Sequence, residues 1–255
     1  MGRLVVIEKT PKRIVSLVPS QTELLYTLGL DAEVIAQTLF CIYPATQDKN
    51  KPRIGGTKTL NTEKIKLLKP DLIIGNKEEN EQVQIEALMK EFPLWMSDIH
   101  NLEEALEMIG MIGKIVDRES NAQELILRIR NRFNQLIKNT QHLSCIYLIW
   151  HKPFMAAGSD TFINDMLCRC GLTNLCIQLN ERYPKLEPEK IKSLSPQLIL
   201  LSSEPYPFNQ NHIEELKEIS PTSKIILVNG ELFSWYGSRL LHSITYFENL
   251  MKEFN

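Results

Sequence analysis

Glu63–Ile74 reads EKIKLLKPDLII and Glu189–Leu200 reads EKIKSLSPQLIL, so twelve residues of this 255-residue chain occur almost twice, 126 positions apart. Glu, Lys, Ile, Lys, Leu, Pro, Leu and Ile hold the same offsets in both copies. Each copy carries the physics of a short helix, a proline that ends it, and a buried strand. Ile65 with Leu68, and Ile191 with Leu194, lie three apart on one helical face. Pro70 and Pro196 lack the amide a helix needs and drive the preceding residue away from helical geometry. Leu72-Ile73-Ile74 and Leu198-Ile199-Leu200 are apolar runs of the kind found in strands covered on both faces. Helix–proline–strand punctuation also arises by chance. Two similar α/β lobes are the reading that uses all eight matches, with a working cleft expected between them.

Working outward, the length fits two lobes rather than one core. An apolar content of 43% is enough for both. A formal charge of −2 without a basic run excludes a general nucleic-acid binder. No apolar stretch approaches the roughly 20 residues that span a bilayer. Met1-Gly2-Arg3 leads directly into Leu4-Val5-Val6-Ile7, without a segment of secretory length. This start predicts either a cytosolic protein or one whose leader lies upstream. Five cysteines, Cys41, Cys145, Cys168, Cys170 and Cys176, show no CxxC spacing and read as small apolar core residues, a usage that leans toward a reducing compartment.

Strands are predicted at Lys12–Val18, Val34–Ala36, Leu94–Met96, Ser144–Trp150, Gln197–Ser202 and Lys224–Val228, alternating with helices in the manner of parallel sheets with helices on both faces. Ser20-Gln21-Thr22-Glu23 has the form of a capping box, with Ser20 as N-cap and Glu23 at N3. From Glu119 to about Asn139 there is no Gly or Pro, and Ala122, Ile126, Ile129, Phe133 and Leu136 recur at helical spacing. That helix would be about 30 Å long. It lies midway between the repeat copies, so the predicted organisation is an N-terminal α/β lobe over residues 1–118, a long connecting helix over 119–140 and a C-terminal α/β lobe over 141–255. The last helix is predicted from about Ser238 to Phe254.

In open α/β sheets ligands bind beyond the carboxyl ends of the strands. The residues there are Phe40 and Tyr43, Gly55-Gly56-Thr57, and Asn76-Lys77-Glu78-Glu79-Asn80 in the first half. In the second they are Trp150, His151, Phe154, Arg182, Tyr183, Glu204, Tyr206, Phe208, Phe233, Ser234, Trp235, Tyr236 and Arg239. Aromatic walls with a few charges suit a large, flat, partly polar ligand, although some of these rings can instead seal the interface between lobes. Enzyme signatures are missing: there is no GxGxxG after the first strand, no P-loop, no GxSxG and no HExxH. No histidine has a zinc-like partner at i+3 or i+4. His151, at a strand end, reads as a hydrogen-bond donor before a metal ligand. Glu63 and Glu189 each open a repeat helix. There a carboxylate gains from the helix dipole, or the two serve as matched docking points for a partner with two basic pockets.

The opening PKRIVSLVPSQTELLYTLGL, the paired EKIKxLxP(D/Q)LI segments and the long central helix resemble the helical-backbone (class III) substrate-binding proteins of ABC importers for cobalamin, haem and ferric siderophores. The resemblance runs from about Arg3 to the C-terminus. It implies two Rossmann-like lobes with parallel sheets, joined by one long α-helix, with a cleft that closes little on its ligand. It also implies a glutamate on each lobe that engages arginines of the permease subunits, at positions matched by Glu63 and Glu189. The chain is similar in more detail to an uncharacterised branch with NKEEN after the third strand and FSWYGSR near the end, here Asn76–Asn80 and Phe233–Arg239. Where cobalamin binders place aromatics this chain has Thr57 and Asn76, while Phe40 and Tyr183 keep aromatic character. With Lys77, Glu78, Glu79, Arg182 and Arg239 added, the expected ligand is a more polar metal chelate or tetrapyrrole.

The expectation is therefore a non-enzymatic, monomeric solute-binding protein without a cofactor or metal of its own. It would capture a metal chelate and dock on an ABC permease outside the cytoplasmic membrane. The rival expectation is a cytosolic tetrapyrrole- or metal-handling enzyme, or a ligand sensor, on the same fold. It rests on the start of the chain, the free cysteines and His151 with Glu204.

Overall fold

The computed structural model describes residues 4–46 and 50–254; Met1-Gly2-Arg3, on which the reading of the chain's start rests, lies outside them. The chain separates into two compact units. One takes the residues up to Ile99, Glu103–Arg130 and Trp235–Leu240; the other takes His100–Leu102, Asn131–Ser234 and the residues from Leu241 onward.

In the first half the elements run β1 (Ile14–Ser16), α1 (Pro19–Thr27), β2 (Val34–Gln37), α2 (Thr62–Leu68), β3 (Leu72–Asn76), α3 (Gln82–Leu88), β4 (Leu94–Ser97), α4 (Leu102–Ile115) and α5 (Glu119–Asn134). The strands form a four-stranded sheet in the order β2-β1-β3-β4, every pair parallel. Every residue of β3 is buried, as its apolar run requires of a strand covered on both faces. Val15, Leu17, Ala36, Ile54, Ile65, Ile73 and Leu94 form the core of this unit.

β1 starts later than Lys12 because the Asp71 carboxylate takes the amides of Lys12 and Arg13 at 2.7 and 2.8 Å, so they do not enter the ladder, and it ends at Ser16, two residues short of Val18. The capping box at Ser20 does not form. α1 begins two residues earlier, with Pro19 at its first position and Val18 as an N-cap that makes no side-chain bond. Proline suits that place because its missing amide would have had no helical partner. α5 stops at Asn134, short of residue 140, and at 16 residues is about 24 Å long. Its end tightens: the amides of Gln135 and Leu136 reach back three residues, to Arg132 and Phe133, and that of Asn139 bonds Cys170 instead of a helical carbonyl.

The second half runs β5 (Ser144–Trp150), β6 (Phe154–Ala156), α6 (Phe162–Arg169), β7 (Thr173–Asn174), a 3-10 turn at Leu175–Leu179, β8 (Lys185–Leu186), α7 (Pro188–Leu194), β9 (Leu198–Ser202), α8 (Gln210–Ile219), β10 (Lys224–Val228), α9 (Gly230–Ser234) and α10 (Leu240–Lys252). Its sheet has the order β10-β9-β5-β6-β8, with β7 also paired to β5. β10, β9, β5 and β7 are parallel as expected, but β6 runs antiparallel to both β5 and β8. The three residues between β5 and β6 permit only an antiparallel return, since a parallel neighbour needs a long crossover. Ile146, Leu148, Ile191, Ile199, Leu201 and Leu216 anchor this core.

The two repeat copies occupy equivalent places. α2 and α7 each span seven residues and end in a left-handed residue, Lys69 (φ 45°, ψ 62°) and Ser195 (φ 46°, ψ 53°). The proline that follows disfavours the α region for the residue before it. Each helix buries its isoleucine completely, and each leads into the strand that is second from one end of its sheet, β3 or β9.

Candidate functional site

The loops beyond the carboxyl ends of the strands divide into rings and charges left accessible and residues spent on holding the loops. In the first unit, Phe40 follows β2 and is 58% exposed. Gly56 makes room for it: a Cβ there would stand 3.2 Å from the Phe40 ring. The loop after β3 is braced by its two asparagines. The Asn76 Oδ1 accepts the amides of Glu78 and Glu79 at 2.9 and 3.2 Å, and its Nδ2 donates to Ser97. The Asn80 Oδ1 accepts the Asn76 amide at 2.9 Å, while its Nδ2 donates to the carbonyls of Leu17 and Thr57. Asn80 is buried with both ends engaged, so its place is structural. Lys77, Glu78 and Glu79 ride on the turn it holds. The Lys77 ammonium reaches Asp98 at 2.5 Å and the Glu78 carbonyl accepts from Lys58.

The segment Trp235–Leu240 belongs to the first unit. The Arg239 guanidinium grips the Glu23 carboxylate with two bonds of 2.8 and 2.9 Å, and lies 3.6 Å from the Tyr43 ring centroid and 4.8 Å from that of Trp235. Tyr43 and Trp235 themselves meet edge-on at 5.8 Å. Trp235, Tyr236 and Arg239 are buried. Glu23, read from sequence as a helix cap, is therefore an ion-pair partner that no local pattern could announce, because Arg239 lies 216 residues away.

In the second unit, Trp150 ends β5 with 42% of its surface exposed, its ring 5.7 Å from Tyr206. Beneath it lies a directed hydrogen-bond chain. The Asn209 amide donates to the His212 Nδ1 at 3.0 Å, which leaves the proton of a neutral His212 on Nε2. That Nε2 faces the Tyr206 hydroxyl at 3.0 Å, the hydroxyl faces the His151 Nδ1 at 3.2 Å, and the His151 Nε2 faces the Glu215 carboxylate at 3.0 Å. Each donor then meets an acceptor in one order: His212 to Tyr206, Tyr206 to His151, His151 to Glu215. His151 is buried and spends its donor on Glu215, so it is a brace rather than a donor to ligand. Phe154 and Phe208 pack on its ring. The Asn209–His212 capping box closes at the start of α8, and Glu215, one turn further on, reaches His151 from 64 residues away, a pairing that no local pattern announces.

Phe233 is wholly buried, between Tyr147 at 5.1 Å and Phe247 at 4.6 Å, because it sits on α9, a five-residue helix hidden inside what reads as a loop. It belongs to the core. Glu204 accepts from the Ser234 hydroxyl at 2.8 Å. Arg182 and Tyr183 are half-buried, with Arg182 3.8 Å from Asp160. Glu63 and Glu189 are exposed in the first turns of α2 and α7. Among the described residues no group of three or more His, Cys, Asp or Glu is placed to hold a metal ion, and no helix is long and apolar enough to cross a membrane. Burial raises the thiols of Cys41, Cys145, Cys170 and Cys176, that of Cys176 to about 12. Such thiols pack rather than react.

With this geometry in view, the sequence profile of a family described as periplasmic binding protein matches residues 14–222. An uncharacterized ABC transporter substrate-binding lipoprotein of Bacillus subtilis is 29% identical over 206 residues, covering 73% of this chain and 65% of that protein. The vitamin B12-binding protein of Pectobacterium carotovorum is 25% identical over 239 residues, 91% of this chain and 85% of the relative. In three dimensions, the periplasmic vitamin B12-binding protein of Vibrio cholerae superposes with a TM-score of 0.80 at 22% identity, over 96% of this chain and 98% of the other.

Proposed function

Since the chain belongs to the periplasmic binding protein family, we propose that it is the non-enzymatic substrate-binding component of an ABC importer, working outside the cytoplasmic membrane. Its cargo would be a metal chelate of the cobalamin, haem or ferric-siderophore kind. The observation that carries this reading is the family match over residues 14–222, which includes both repeat copies. The accessible aromatics support it: Phe40 stands just beyond the carboxyl end of β2 and Trp150 at the carboxyl end of β5, the edge where open α/β sheets take ligands.

In this reading Phe40 and Trp150 offer stacking surface, with Tyr183 beside Arg182. Lys77, Glu78 and Glu79 orient a polar periphery, and Arg182 does the same from the second unit. Tyr43, Trp235, Tyr236 and Arg239 shape the wall of the first unit; His151, Phe154, Glu204 and Tyr206 stiffen that of the second. Binding is followed by titrating the protein with cyanocobalamin, haemin and ferric hydroxamate and catecholate siderophores against tryptophan fluorescence. A saturable change with Kd about micromolar or tighter, equivalent to about −8 kcal/mol, is the expected result for one of them, and it should weaken in Trp150→Ala. Flat traces for the whole panel would remove the chelate class.

Glu63 and Glu189 supply the docking points for the permease. Reversing both charges, Glu63→Arg with Glu189→Arg, should abolish uptake of the bound chelate and leave its affinity in solution unchanged. Undiminished uptake in that variant would remove the docking role.

A further inference from the structure

A row of hydrogen bonds through hydroxyls and imidazoles has a fixed direction only if its ends impose one, and in the second unit both ends do. One end is the Asn209 backbone amide, which can only donate; the other is the Glu215 carboxylate, which when ionised can only accept. Between them His212, Tyr206 and His151 each take one hydrogen and pass one on. The side chain of His151 is 7% exposed, whereas that of Glu215 is 41% exposed. Glu215 is thus a member at which the row can be altered without opening a cavity.

Tyr206 connects the row to the candidate ligand wall. Its ring meets the exposed Trp150 indole at 5.7 Å with 65° between the planes, and packs on Phe208 at 4.9 Å from another side. Its hydroxyl lies between two imidazole nitrogens, at 3.0 and 3.2 Å. A phenol pinned at its oxygen and packed along its ring holds its place beside the indole. Trp150 also precedes His151 directly, and the far nitrogen of His151 is tied to Glu215. The indole therefore has one fixed neighbour in sequence and one in space, and the same row fixes both.

We propose that Glu215 is a positioning residue for Trp150: it touches no ligand itself, and through His151 and Tyr206 it holds the indole in the pose that stacks on the bound chelate. This rests on the ligand-binding role proposed for Trp150. What matters at position 215 is an acceptor. An acceptor keeps the His151 hydrogen on Nε2 and leaves Nδ1 free to take the Tyr206 O–H. A donor there calls for a bare Nε2 and sends the hydrogen to Nδ1. The Tyr206 oxygen then faces an N–H from each imidazole, and its own hydrogen has no acceptor left in the row. A ring already held in its bound pose loses little rotamer freedom on binding, which is where the affinity comes from.

The test uses the full chain labelled with 5-fluorotryptophan. Its three tryptophans, Trp95, Trp150 and Trp235, give separate fluorine signals, and that of Trp150 is assigned by its loss in Trp150→Phe. Glu215→Gln, which keeps an acceptor, should leave the ligand-free Trp150 signal in place. Glu215→Lys should shift or broaden that signal alone. Affinity is then measured with whichever of cyanocobalamin, haemin and the ferric siderophores saturates the parent: Glu215→Gln should stay within about twofold, and Glu215→Lys should raise Kd about fivefold, the loss of one preorganised side chain. Glu214→Lys makes the same charge change at the exposed neighbouring residue and should match the parent in both measurements. An unmoved Trp150 signal in Glu215→Lys would overturn the proposal, as would equal effects of Glu215→Gln and Glu215→Lys, or of Glu214→Lys and Glu215→Lys. If Trp150→Ala weakens binding and Glu215→Lys does not, the positioning role is wrong and the ligand role of Trp150 stands. If no probe binds the parent, the receptor reading falls, and the ligand-free fluorine spectra still decide whether Glu215 sets the indole.

Discussion

Glu23 is the residue whose loss should cost the first unit most for its size. Its carboxylate holds Arg239 through two short bonds, and the side chains of Arg239 and Glu23 are only 9% and 12% exposed. Glu23→Ala takes away the carboxylate that holds the guanidinium between its two rings. Removing one partner of a buried ion pair costs about 3–5 kcal/mol, because the remaining charge loses the opposite charge that compensated its burial. The flanking rings retain about 0.5–1 kcal/mol of cation–π attraction each, too little to offset that. At about 2–4 °C per kcal/mol for a chain of this size, Tm should fall by about 6–20 °C. Replacing both partners with apolar residues of similar volume, Glu23→Leu with Arg239→Met, removes the orphaned charge, and about 2 kcal/mol or more of the loss should return. Urea unfolding of the parent, both single variants and the double variant closes the cycle. An additive double variant, or a single-variant cost under about 1 kcal/mol, would refute the reasoning: the pair would then behave like an exposed one, and Arg239 would be available to a ligand after all.

Tyr206→Phe removes the hydroxyl that joins His212 to His151, leaving two buried imidazole nitrogens without their partner; urea unfolding should show a loss of about 1–3 kcal/mol, and a loss below about 0.5 kcal/mol would mean the chain of bonds is not made in solution. Of the five cysteines only Cys168 is exposed, so a chromogenic disulfide reagent should titrate one thiol in the native protein and five in denaturant. Burial and the neighbouring Asp165 raise the Cys168 thiol, so its labelling rate should climb with pH well above neutrality, and a second fast native thiol would contradict the packing.

What the sequence disclosed and what it withheld separate along physical lines. Ser144–Trp150 and Lys224–Val228 were legible as strands to the residue, because each is an apolar run that the chain bounds with polar residues, even though β10, at the edge of its sheet, leaves Lys224 and Leu227 exposed. Gly29 and Gly171 were legible as stops, and both adopt positive φ, 80° and 79°. Failures came wherever a distant partner decided the outcome. Asp71 shortens β1 by taking two amides, and Arg239 claims the Glu23 that local pattern assigns to a capping box. The candidate loops show the same division. Strand ends locate the loops, so Phe40 and Trp150 are accessible where they were expected. Periodicity cannot say which loop side chains turn inward: Phe233 and Asn80 belong to the core and to the brace of a turn.

The repeat behaves differently, because it compares the chain with itself. Helix, left-handed cap, proline and buried strand recur in both copies, so the copies share one set of internal constraints. A residue that is the same in both is explained by the fold wherever it faces inward: Ile65 and Ile191 must match because each fills the space beneath its own helix. Glu63 and Glu189 match while facing outward, where neither core demands them. The helix dipole explains an acid in the first turn, but it is satisfied by any acid there and worth at most about 1 kcal/mol on the surface. An outward identity that neither core requires is what a partner touching both copies would produce, and the variant carrying Glu63→Arg with Glu189→Arg tests it: unchanged uptake would leave the helix dipole as the whole reason for the two acids.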